Sequence, residues 1–85
     1  MKEERIGIVS HYFSMIGVAS VDLEGELAVG DTIHIKGHTT DFAQKIESIQ
    51  IENKNVKHVK KGDEFAIKVK ETAREHDIVY KVMEA

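Results

Sequence analysis

The sequence contains no cysteine and no tryptophan, and only 6% of its 85 residues are aromatic. Without Cys, neither disulfides nor thiolate-bound metals can staple the fold. A chain near the lower size limit for independent folding must then rely on aliphatic burial. The 41% hydrophobic content suffices for a single domain over 1–85, with an Ile/Val-rich core. No apolar run is long enough to cross a bilayer as a helix, so no membrane partner is expected. Positive charge is not in excess either. A net charge of −3 with 32% charged residues argues against a surface devoted as a whole to nucleic acid or anionic lipid. The opening MKEERIGIVS passes from mixed charges straight into alternating apolar residues, unlike a signal peptide. With the lack of Cys, this gives the expectation of a cytoplasmic setting.

What is present is a period of two. In TIHIKG, Ile33 and Ile35 oppose His34 and Lys36; in EFAIKVK, Phe65, Ile67 and Val69 oppose Ala66, Lys68 and Lys70. Ile78, Tyr80 and Val82 repeat the pattern near the C-terminus. Such alternation marks strands with one buried and one wet face. RIGIVSHYF and MIGVASVDL read as a hairpin turning near Ser14, with Gly7 and Gly17 inside the strands, where Gly marks a bulge, a sharp bend or a close backbone approach. About six strands are expected. TDFAQKIESIQI is ambiguous: Phe42, Ile46 and Ile49 fit an amphipathic helix, and equally a long strand bulged near Ser48. VKHVKKG reads as a helical turn or an irregular crossing.

GDTIHIK at 30–36 and GDEFAIK at 62–68 share one pattern, and HDIVYKV at 76–82 repeats it without the Gly. Gly supplies a positive φ, and the Asp carboxylate accepts backbone N–H groups. These are expected to be two or three equivalent corners, not a duplication. The first lies in GELAVGDT, where Gly25, Gly30 and Thr32 have the spacing of a phosphate loop. A strand follows instead of a helix, and Asp31 stands where that loop carries its Lys. Nucleotide is excluded as a partner, and no cofactor is expected.

The same residues resemble the second-domain barrel of translational GTPases of the elongation factor Tu type. Leu23, Gly25, Leu27, Gly30 and Asp31 match the first part of that pattern. Ile46, Ser48 and Ile49 match the middle, and Val56, Val59, Gly62 and Asp63 the third part. The likeness covers residues 6 to 82 and departs at His76-Asp77, where the family carries Gly. GDTIHIKGHTTDFAQKIESI is similar as well to the tail barrel of collagenase-like peptidases. The resemblance implies an all-β fold, a small six-stranded antiparallel barrel of the translation-factor domain 2 type, and tips 41–52 toward strand. It implies a non-catalytic recognition module whose partner is tRNA, the ribosome or a translation factor. The alternative is a protein–protein adaptor barrel that docks onto a separate enzyme.

Chemistry-bearing residues are sparse. His34 and His38 would lie ~13 Å apart on one strand face, and neither Cys nor a helical His pair supports a metal site. Ser10 and His11 point to opposite faces and form no catalytic pair. Lys54, Lys57, His58, Lys60 and Lys61 fall within one short stretch and are the candidate RNA contacts, as sequence-blind phosphate anchors. Lys36, Lys45, Lys68, Lys70 and Lys81 would extend that cationic face. The competing reading is a solvated loop that discourages edge pairing. Tyr12, Phe13 and Phe42 are the candidate partner contacts.

Overall fold

Alternating Ile, Val and Phe drive every regular element. The computed structural model describes residues 2–83. Its strands are β1 (Lys2–Phe13), β2 (Val18–Leu23), β3 (Leu27–Ala28), β4 (Thr32–Lys36), β5 (Asp41–Lys45), β6 (Ile49–Ile51), β7 (Lys54–Val56), β8 (His58–Val59), β9 (Glu64–Lys68) and β10 (Ile78–Met83). No helix occurs among the described residues, and every pairing there is antiparallel. The fold is all-β, as expected, but its strands number ten where six were expected.

Eight strands form one sheet in the order β5-β4-β10-β1-β2-β9-β6-β7, while β3 and β8 pair apart. The expected six-stranded barrel is therefore corrected: β5 and β7 are sheet edges and the ladder does not close. The break lies at 46–48. Ile46 and Ile49 are both buried, so the chain must change face between them, and it does so by leaving the sheet. The ambiguous 41–52 segment thus becomes two strands, not a helix. Across the open seam a side chain does the joining. Gln44 Nε2 donates to the Lys68 carbonyl at 2.8 Å, and Gln44 Oε1 accepts from the Lys70 amide at 2.9 Å.

The core is Ile/Val-rich, with Ile33, Ile35, Ile49, Val9, Val21, Val59 and Val79 fully buried beside Phe65 and Phe42. One phase differs from expectation. Val79 is the buried residue of β10, and Ile78, Tyr80 and Val82 lie half-covered on the outer face. Register explains this: Val79 sits opposite Ile35 on β4 and Gly7 on β1, both facing the core. A central strand has neighbours on both sides, so even its outer side chains are partly covered, and alternation alone does not tell the faces apart.

Three turns repeat one geometry: Ala28-Val29-Gly30-Asp31, Lys60-Lys61-Gly62-Asp63 and Arg74-Glu75-His76-Asp77. In each, the Asp amide donates to the first residue's carbonyl, at 3.0, 2.9 and 3.2 Å. The Asp carboxylate accepts from the first residue's amide, at 2.9, 3.0 and 2.8 Å. The third residue stands at φ 100° (Gly30), 94° (Gly62) and 74° (His76), as a type II turn requires. Each turn also clasps one core residue by its backbone. The third residue's amide donates to the carbonyl of Ile46, Leu23 or Val9, at 2.9, 3.3 and 2.9 Å. The Asp carbonyl accepts from that same residue's amide, at 2.8, 3.4 and 2.8 Å. The three corners anticipated from the Gly-Asp echo are therefore equivalent, and His76 fills the glycine's place in the third.

A Cβ added at Gly30 or Gly62 meets no atom within 4 Å, so substitution there reports the dihedral cost alone. Gly30→Ala and Gly62→Ala are each expected to lower the unfolding free energy by about 1 kcal/mol. His76→Gly should change it by less than ~0.5 kcal/mol, because relieved strain offsets added chain freedom. Asp77 is only 4% exposed, so Asp77→Ala leaves the Arg74 amide without its partner and should cost about 2–3 kcal/mol. Asp63→Ala should cost less. Urea titrations followed by circular dichroism rank the set, and equal losses at Asp63 and Asp77 would count against the clasp.

Candidate functional site

The β1–β2 hairpin ends in Phe13-Ser14-Met15-Ile16-Gly17. The Phe13 carbonyl accepts from the amides of Ile16 at 3.2 Å and Gly17 at 2.9 Å. Gly17 takes φ 65°, so the glycine sits in the turn and not inside the strand as expected. Its carbonyl accepts from the Val69 amide at 3.0 Å, tying the tip to the run after β9. On this braced turn Phe13 is 44% exposed, Ile16 61% and Met15 95%. The Phe13 ring meets the His11 ring edge-on, with centroids 4.4 Å apart, and His11 Nδ1 lies 3.6 Å from Glu75 Oε2. Beside the tip runs a cleft of about 440 Å³ lined by Phe13, Ile16, Val18, Gln50, Asn53 and Ala66. Glu52 and Glu64 also line the groove, so the exposed apolar turn stands beside a mixed apolar and acidic cleft and forms a candidate contact surface.

The expected partner contacts divide. Phe13 belongs to this patch. Tyr12 is half-buried against the core. Phe42 is buried at 6% exposure and is corrected to a core residue: it lies opposite Ile35 on β4 and shares its face. Met15 and Ile16, which carry most of the exposed apolar surface, were missed. Their signal was present, since SMIG is an apolar pair inside a turn, where polar residues are the rule.

The basic residues hold several different positions. Lys54 on β7, Lys57, His58 on β8, Lys60 and Lys61 are all exposed. His58 Nε2 lies 3.6 Å from Glu26 Oε1, and the Lys60 amide belongs to the second corner. The lysines expected to extend this face lie elsewhere. Lys36 stands 6.0 Å over the Tyr80 ring, Lys81 Nζ is 3.5 Å from Asp31, and Lys45, Lys68 and Lys70 line the seam. Lys54 on edge strand β7 fits the guarding role that lysines play at sheet edges.

His34 is engaged on the outer face and not free as a metal ligand. Its Nδ1 lies 2.7 Å from Glu3 Oε2, reaching across β10, and its Nε2 bonds Asp41 Oδ1. His38 lies beyond the end of β4. No group of three or more His, Cys, Asp or Glu residues placed to hold a metal occurs among the described residues. Ser10 Oγ lies 3.2 Å from the Ser20 carbonyl and from Glu64, away from the His11 contacts. No helix among the described residues is long and apolar enough to cross a membrane.

Comparison with known proteins places this architecture. The chain is 38% identical over 80 residues to an uncharacterized protease of Methanocaldococcus jannaschii, covering 93% of the chain and 20% of that protein. It is 44% identical over 72 residues to a collagenase of Porphyromonas gingivalis, covering 82% of the chain and 20% of the collagenase. The chain thus spans about a fifth of the length of the curated relatives it matches. Two crystal structures of the C-terminal domain of a Geobacillus thermoleovorans protein described as a U32 peptidase superpose with TM-scores of 0.84 and 0.88. Identity is 24% in both; 89% and 94% of this chain and 96% and 93% of theirs are covered. No protein-family model matches the chain. It is a small all-β domain resembling the C-terminal domain of a U32 peptidase or collagenase-like protein. The translation and elongation-factor reading is corrected accordingly: the relatives are peptidase and collagenase proteins. The corner and core positions that suggested that reading are what any barrel-like chain with these turns needs, so they could not separate the two families.

The Glu3–His34–Asp41 cluster sets a pH dependence. The Glu3 hydrogen bond, then the Asp41 bond, holds the His34 imidazole above its ordinary 6.5, against a small opposing effect of burial. The His34 bond holds the Asp41 carboxyl below its ordinary 3.8. The His34 contribution is complete below 6.5 and is lost as pH rises through the raised value; the Asp41 contribution is complete above 3.8 and is lost as pH falls through the lowered one. The stability difference between wild type and His34→Gln should be greatest between those two values and shrink toward pH 9. Thermal unfolding across pH measures it, and a difference that grows with alkalinity would contradict the assignment.

Proposed function

We propose that this chain is a non-catalytic docking domain of a U32-peptidase-like or collagenase-like protein, seating through its β1–β2 hairpin tip against a separate folded catalytic domain. The observation that carries the reading is the braced apolar tip of Phe13, Met15 and Ile16 beside its cleft. The relatives support it, because some four-fifths of each lies outside the match and provides a surface to cover that tip. The tip is suited to the role physically. Its turn is held by hydrogen bonds at both ends, so little conformational freedom is lost when it is covered. Burying one such side chain contributes about 1.5–3 kcal/mol.

A chimera tests this. The matched 72-residue segment of the Porphyromonas gingivalis collagenase is replaced by this chain, with and without the pair Met15→Ser and Ile16→Ser. The unaltered chimera should hydrolyse collagen and protect the tip amides from hydrogen exchange, while the isolated chain hydrolyses nothing. The double variant should lose that protection, with docking weakened at least about tenfold. Hydrolysis by the isolated chain, or tip amides equally exposed in both chimeras, would overturn the proposal.

A further inference from the structure

The geometry points to a second contact site: we propose that the seam between β5 and the run after β9 accepts an extended, carboxylate-bearing peptide as an added strand. The Lys68 carbonyl and the Lys70 amide, two residues apart, are the acceptor–donor unit that a strand presents to a hydrogen-bonded neighbour. The neighbour here is a side chain. Gln44 Nε2 donates to the Lys68 carbonyl at 2.8 Å and Gln44 Oε1 accepts from the Lys70 amide at 2.9 Å. A carboxamide offers a donor and an acceptor on the same side, as one residue of a neighbouring strand offers its N–H and C=O, so Gln44 occupies the place of one residue from a missing strand. A true neighbour would lie ~4.8 Å away with its own ladder. One side-chain amide satisfies only the first rung.

The surroundings suit an incoming strand. β5 is paired on one side only, with β4. The Val69 amide is turned the other way, to Gly17, so its run is backed by the hairpin, and toward the seam it meets the Gln44 side chain and, beyond Ala66, β6 in place of a continuous strand. The cleft there has a volume of about 490 Å³ and is lined by Gln44, Lys45, Glu47, Ser48, Lys68 and Lys70. Lys45 on one lip and Lys68 and Lys70 on the other outnumber the one carboxylate, Glu47, and select for an acidic strand over a basic one. Lysines on an edge usually repel neighbouring strands; here they stand on both sides of a gap and discriminate by charge. A phosphodiester would share the charge attraction, but it has acceptors only and cannot donate to the Lys68 carbonyl. Peptide is therefore the occupant the seam fits. The seam adjoins the hairpin tip through the Gly17–Val69 bond but its lining includes none of Phe13, Met15 and Ile16, so the docking reading is tested by other residues.

The test uses the whole chain, isotopically labelled for NMR, and a short acetylated and amidated peptide alternating Val or Thr with Glu. Saturable shifts are expected at the amides of residues 43–45 and 68–70. The same peptide with Lys in place of Glu should bind at least about tenfold more weakly, as should the acidic peptide to a Lys68→Glu/Lys70→Glu variant. Gln44→Ala, checked for folding by circular dichroism, should bind the acidic peptide several-fold more tightly because the internal competitor is gone. Alternate N-methylation of the peptide should abolish binding. The proposal is overturned if the peptide gives no saturable shift at low-millimolar concentration, or if shifts centre on residues 13–17 instead. Equal binding of the N-methylated peptide, or oligouridylate shifting the seam amides where the peptide does not, would overturn it as well.

Discussion

The fold hangs on a single repeated bond pattern: an Asp carboxylate that reaches back three residues to a backbone amide. That contact, closed by the Asp amide's own bond in the opposite direction, fixes each corner at Ala28–Asp31, Lys60–Asp63 and Arg74–Asp77. Each corner then presents one amide and one carbonyl to the backbone of Ile46, Leu23 or Val9. With no disulfide and few aromatic rings, the strands entering the core are otherwise held by their antiparallel ladders and by side-chain packing. Packing is tolerant of small slips, whereas a two-bond backbone clasp on a fully buried residue is not. The clasp determines where β4, β9 and β10 begin, and so which of their side chains reach the core.

The two candidate contact surfaces follow from what that frame leaves unfinished. Met15 and Ile16 lie beyond the last rung of β1 and β2, Phe13 opposite Val18, so no strand covers them. The seam exists because the chain gives up its ladder at 46–48 to bring both Ile46 and Ile49 inside. Gln44 then compensates for the missing rung with a side chain. The two proposed surfaces thus differ in kind, one apolar on a braced turn and the other polar and backbone-like. Neither requires titrating or nucleophilic chemistry, as the proposed docking role would have it.

Much of the fold could be read from the residues. Alternation located β4 and β9 with the correct buried face, the N-terminal hairpin turned where expected, and the Gly-Asp echo marked equivalent corners. Even the departure at His76-Asp77 is explained, since His tolerates the left-handed conformation better than most residues. Other features depended on tertiary facts that the sequence does not encode locally. The phase of β10 depended on which residues it faces on both sides. The burial of Phe42 depended on register against Ile35, and the engagement of His34 on Glu3, two strands away. The β6–β7 turn places Glu52 and Asn53 at φ 49° and 66°; without a Gly it carried no hairpin signal. Function was least legible, because the recognisable motif consists of corners and core, which report architecture shared by proteins of different activity.

The pairing of β1 with β10 has a kinetic side. Residues 2–8 lie against 78–83, and β10 also supplies the partner for β4. The middle of the sheet is therefore assembled from segments nearly a whole chain length apart. Closing so large a loop costs entropy before any rung repays it. During synthesis β1, β4 and β5 exist without the strand that joins them, and unpaired edges persist until that strand arrives. The lysines along those edges, whatever they later bind, keep nascent chains from pairing with one another in that interval.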